Sequence, residues 1–223
     1  MEKIMETDED FQNKMDSERK RIDKFESVLN NLEPSNVKGR RIAKIHLANL
    51  YLNCVKLTYS KGKSFEKMFS DYMKFLEYYR EVSTSNDSIY DIIDILSIGV
   101  LLQNRKNQFV DYLDEIVLKF DSNDGMITFF MDYLKDKTSQ RTASVINYFN
   151  VLLKTEDKVK ILKEELEVWY DKHSDAYWYN SHKSKNNTYC GYWCFEIAAL
   201  VKIFCVDDAL LRENQYYPYE MKK

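Results

Sequence analysis

Residues 189–220, YCGYWCFEIAALVKIFCVDDALLRENQYYPYE, bring together three cysteines (Cys190, Cys194, Cys205), a single Glu196 inside an apolar run, the pair Asp207 and Asp208, and a cluster of tyrosines. Thiols and carboxylates at such density are the materials of metal centres and of nucleophilic catalysis. Their spacing speaks against both. His173, His182, Cys190 and Cys194 read His-x8-His-x7-Cys-x3-Cys, whereas zinc frames set their ligands in pairs about two to four residues apart. The sequence has no G-x-S-x-G elbow and no glycine-rich phosphate loop, and nothing fixes a base beside any Ser or Cys. The expectation is a protein that is not an enzyme, with no metal, no cofactor and no catalytic residue.

Packing explains the same stretch more simply. Trp193, Ile197, Leu200, Val201 and Phe204 share one helical stripe, with Cys194, Ala198 and Cys205 on the next, so this helix is apolar on most sides and central. Cys190 and Cys194, four apart, read as small buried side chains on it. An isolated buried carboxylate costs several kcal/mol or gives up its charge, so Glu196 reads as a bonded structural anchor.

The elements that must position these residues are helical. Only 5 Gly and 2 Pro punctuate 223 residues, which favours helices with tight connections around a sizeable core. A charged amphipathic helix runs from Asp10 to Asn31, and a second spans residues 40–60. Ser64 caps a third, and Ile89, Ile92, Ile93, Leu96 and Val100 mark a nearly buried fourth. Phe109, Tyr112, Leu113, Ile116, Val117 and Phe120 stripe a fifth; shorter helices follow near 124–135, 140–154 and 157–172, the last capped by Thr155. HSDAYWYNSHKSKNNTY connects it to the C-terminal helix. The reading is an all-α helical bundle of roughly eight to ten antiparallel helices with a buried C-terminal helix. No apolar run is long enough to span a membrane and no signal segment is present, so a cytoplasmic protein with reduced thiols is expected.

Charge is unevenly spread. Residues 37–63 hold 7 bases and no acid, while residues 64–134 hold 6 bases and 13 acids. The basic run around Lys38, Arg40 and Arg41 reads as a face that pairs with acidic neighbouring helices, with nucleic-acid binding as the lesser reading. The acidic middle is the better binding surface. Asp87, Asp91 and Asp94 share a helical face, Asp111, Asp114 and Glu115 lie on the polar side of the next helix, and Asp121 and Asp124 follow its end. Tyr90 and Tyr112, beside these acids, would serve as anchors for a cationic protein partner.

The run GYWCFEIAAL (Gly191, Tyr192, Trp193, Glu196), then VDD (Asp207, Asp208), then YYPYE (Tyr216, Tyr217, Pro218), with WY at Trp169 and Tyr170 and SHK around His182, resembles the C-terminal half of the PoNi-like immunity proteins. YSKGK, with Tyr59 and Gly62, is similar to an element of that family's N-terminal half. Against the family's pattern, Cys194 stands where Ser is usual, Cys205 where Gly is common, Glu220 where Asp is usual and Lys61 where Arg is usual. The resemblance implies an N-terminal half over 1–120 and a C-terminal half over 121–223, packed as one helical unit. It implies an immunity protein that binds and inhibits a cognate DNase toxin in interbacterial competition. An acidic surface can steer toward the cationic cleft of a DNase and occlude it. The alternatives are a helical scaffold or regulator with another partner, and a nucleic-acid binder using residues 38–63.

Overall fold

The computed structural model describes residues 7–62, 64–138, 142–186 and 188–222, and every regular element among them is helical. A capping box starts α1 (Asp8–Asn31): the Asp10 N–H donates to Thr7 Oγ1 at 3.2 Å, and the Thr7 N–H donates to Asp10 Oδ2 at 3.0 Å. Two N–H groups that a helix start leaves open are thereby satisfied. Asn36 caps α2 (Val37–Lys61) and Ser64 caps α3 (Phe65–Val82), each side chain accepting from a first-turn N–H.

These helices form one compact unit together with the segment Tyr177–Gly191. Antiparallel pairing is visible in the cross-links: Arg40 donates to the carbonyls of Leu29 and Leu32 at one end of α1, and Lys61 reaches Gln12 at the other. Arg41 donates to the Val82 carbonyl at 2.7 Å, and Lys44 pairs with Glu81. Leu47, Leu50, Cys54, Leu57, Tyr72, Phe75 and Leu76 make its core. Arg19 meets the buried Asp71 at 2.6 Å, and burial pushes the Cys54 thiol up to about 12. Ser60 donates to the Cys190 carbonyl at 2.9 Å, which ties the 177–191 segment to α2.

The second unit contains α4 (Ile89–Leu101), α5 (Val110–Phe120), α6 (Gly125–Leu134), α7 (Asn147–Leu152), α8 (Lys158–Lys172) and α9 (Phe195–Ile203). Its centre is α4, whose Ile92, Ile93, Ile95, Leu96, Ile98 and Val100 are all buried against neighbours that include α6 and α9. Each such side chain contributes about 1.5–3 kcal/mol of burial. Lys202 of α9 donates to the Leu101 carbonyl at 3.4 Å, and the charge of Asp94 reaches Glu196, so α9 runs beside α4 in the same direction.

Local expectations are corrected in two places. Asp157, not Thr155, caps α8, its carboxylate accepting from the Lys160 N–H at 3.2 Å. The last helix begins only at Phe195, because the Cys194 N–H is taken by the Tyr216 carbonyl at 2.9 Å and Gly191 adopts φ 95. Cys190 and Cys194 are both buried, but they do not share a helical turn. Lys63, Asn187 and the expected helix start near 140 lie outside the described residues; the helix found there is Asn147–Leu152.

Candidate functional site

The acids singled out in the sequence fall into separate groups. At the start of α4, Asp87 is half-buried and accepts from both the N–H and the hydroxyl of Thr84 at 3.1 Å, fixing the turn that leads into the helix. Asp91 is exposed in the first turn, where the helix dipole favours a carboxylate. Asp94 is half-buried. Between them Tyr90 is 56% exposed, with its ring edge-on to His173 at 5.4 Å.

That row stands on a bonded base. His173 closes α8, and its Nδ1 lies 2.7 Å from the Trp169 carbonyl. The Trp169 indole N–H donates to Glu196 Oε1 at 2.6 Å. Burial pushes the Glu196 carboxyl up and Asp94 adds to that, against the pull of His173. Asp171 and Asp175, which flank His173, are exposed beside this group. Sequence reasoning missed them because they sit at the edge of a stretch read only as a polar connection.

On α5, Asp111, Asp114, Glu115 and Leu118 occupy one row of the helix. Asp111 and Glu115 are exposed, and Asp114 pairs with Lys135, the C-cap of α6. Leu118 is 79% exposed at the C-terminal end of this acidic row. It lies off the stripe of the fifth helix, and that was the signal that could have found it. Tyr112 is half-buried, and Asp121 ends α5 in a left-handed conformation, exposed.

Asp124 does not join them. It is 8% exposed and caps α6, accepting from the N–H groups of Met126, Ile127 and Val145 and from the Ser144 hydroxyl. An acid before Gly and an apolar run is an N-cap signature, and here its charge is consumed inside the fold.

The residues that carry the family resemblance serve structure. Tyr59 is buried, and Gly62 caps α2 at φ 145. His182 lies in a short 3-10 turn, Ser181–Lys183, edge-on to Tyr189 at 6.2 Å, and burial lowers its pKa. Tyr192, Tyr216, Tyr217 and Pro218 are buried and Trp193 is half-buried; the Tyr170 ring stacks on Tyr216 at 5.3 Å. Asp208 receives Arg212 Nε at 2.9 Å and Nη2 at 2.7 Å as well as the Tyr217 hydroxyl at 3.2 Å. Asp207, exposed, accepts from the Ala209 N–H. Among the described residues no group of three or more His, Cys, Asp and Glu could hold a metal ion. No helix among them is long and apolar enough to cross a membrane.

The basic run divides between inner and outer duties. Arg40 and Arg41 cap the carbonyl ends of α1 and α3, where cations are favoured by the helix dipole. Their guanidinium groups therefore have protein partners.

The family model described as PoNe immunity protein (PoNi), N-terminal, matches residues 3–113, and that described as PoNe immunity proteins (PoNi), C-terminal, matches residues 121–221. The chain matches no curated protein and no solved structure.

Proposed function

The chain belongs to the PoNe immunity proteins, whose role is immunity to a DNase toxin and not catalysis, and on that premise we propose that it neutralises its toxin by binding, with the acidic rows of α4 and α5 as the contact surface. One observation carries this reading: Asp91 and Tyr90 on α4, and Asp111, Glu115 and Leu118 on α5, present carboxylates beside exposed apolar or aromatic side chains. A DNase must offer cationic groups to phosphate. Carboxylates set around a desolvated anchor are the chemistry that meets such groups with both speed and persistence. Tyr90 is the stronger anchor, because the His173–Trp169–Glu196 chain beneath it restrains its surroundings and lowers the cost of ordering on binding.

The nuclease site as the target and the cytoplasm as the place of action belong to the same proposal. DNA is the toxin's substrate there, and no disulfide joins Cys54, Cys190, Cys194 or Cys205.

Co-expression with the toxin encoded beside it tests the reading. The unaltered chain restores growth, and Asp91→Ser with Asp111→Ser and Glu115→Ser loses that protection while keeping its thermal stability. Full protection by the triple variant would place the contact elsewhere.

A further inference from the structure

α1 and α2 form a second surface, remote in sequence from the acidic rows. Phe25 of α1 stacks on His46 of α2 with ring centroids 4.5 Å apart. Val28, 40% exposed, lies one turn beyond Phe25; Ile42, 46% exposed, lies one turn before His46, with Ile45, 37% exposed, beside it. Four apolar side chains thus make one face across the helix pair.

Its border is cationic. Lys24 on α1 and Lys38 on α2 are exposed, and neither has an ion pair among the described residues. Arg21 joins them, sharing its charge with Glu18 at 3.2 Å. The exposed acids of α1 nearest this face, Asp16 and Asp23, stand about 180–200° around the helix from Phe25, and Asp8, Glu9 and Asp10 lie in the first turn, about 20 Å or more along the axis. The other flank of α1 is closed by Arg19 on Asp71 and by Tyr51 on Glu26.

We infer that this face binds an amphipathic acidic segment of the toxin, one whose apolar side chains are flanked by Asp and Glu. The inference rests on the reading that the chain binds its toxin. Charge complementarity selects the occupant: a cationic border around an apolar centre fits the reverse pattern. A nuclease whose DNA groove is cationic carries its acids elsewhere on its surface, since solubility calls for both signs. This chain is divided in the same way, with 7 bases and no acid in residues 37–63 against 13 acids in residues 64–134.

Two other occupants fit less well. A second copy would set one cationic border against another. A membrane surface takes up side chains that sink about 5–10 Å into it, whereas Val28, Ile42 and Ile45 are more than half buried within the protein.

The test uses the full chain and a catalytically inactive form of the neighbouring toxin, titrated in solution. Ile42→Ser with Ile45→Ser, and separately Lys24→Glu with Lys38→Glu, are each expected to weaken binding about tenfold or more. The charge reversal should lose much of its effect at high salt. Unchanged melting temperatures establish that both pairs fold. If both pairs bind like the unaltered chain while the acidic-row variant is weakened, the inference falls and the proposed function stands. Weakening by these pairs alone supports the face and removes the acidic rows. Absence of toxin binding by the unaltered chain overturns both. If the face-dependent event is instead dimerisation in light scattering, or sedimentation with phosphatidylglycerol vesicles, with no effect on toxin affinity, the inference is likewise overturned.

Discussion

Cys205 ends α9 with φ 51, a left-handed conformation that L side chains adopt at a cost. The Cys205 N–H donates to the Lys202 carbonyl at 3.3 Å and the Val206 N–H to the Val201 carbonyl at 3.1 Å, the paired bonds of a Schellman cap whose left-handed position glycine usually fills. A residue noted in the sequence for its thiol and as a departure from the family's common Gly is thus held by its backbone. Cys205→Gly is predicted to stabilise the fold by about 1 kcal/mol, read as a higher urea midpoint; a lower midpoint would contradict this account. Glu196 was legible as an anchor because it is a lone acid in an apolar run, but its donor, Trp169, lies 27 positions away and left no local sign. Burial raises its folded pKa above that of the open chain. The native state therefore holds the proton more tightly, and this contribution to stability is full below the ordinary carboxyl range and lost as pH rises through the raised value. Glu196→Gln keeps an acceptor for the indole, so it is expected to flatten the fall in stability just above that range. An identical pH profile would mean that the carboxyl is not under this strain.

Helices were readable wherever a stripe was long. The third and fifth followed their apolar spacing, since tertiary packing uses the stripes that periodicity reveals. Boundaries were harder, because a cap depends on which N–H groups find partners elsewhere. Thr155 yields to Asp157, and the start of α9 is set by the distant Tyr216 carbonyl. The α6 start shows how tight such a boundary can be: the Gly125 N–H donates to the Ala143 carbonyl at 2.9 Å, and a Cβ on Gly125 would lie 2.1 Å from the Thr142 carbonyl oxygen. Backbone cannot yield as a side-chain tip does. Gly125→Ala is predicted to destabilise by about 1–3 kcal/mol, lowering the melting temperature and loosening the Asp124 bonds to Ser144 and Val145. Melting at the unaltered temperature would show that the 142–145 segment can move aside.

At the scale of the molecule, the segregation of charge was plain in the sequence, whereas the fate of each charge was not. Arg40, Arg41, Asp114 and Asp124 bond to other elements of the fold, and Asp91, Asp111 and Glu115 lie on exposed positions. Periodicity assigns a residue to a face, but ion pairs and caps between elements depend on tertiary neighbours. A binding surface built on exposed carboxylates also sets an expectation for kinetics: association with the toxin should slow as salt rises, and do so less for a variant lacking those carboxylates. The most direct measurement is DNA cleavage by purified toxin titrated with the unaltered chain and with Asp91→Ser, Asp111→Ser and Glu115→Ser combined. The account predicts full inhibition near equal concentrations by the unaltered chain, and a requirement for at least about tenfold more of the variant. Equal inhibition by both would contradict the acidic rows as the surface of immunity.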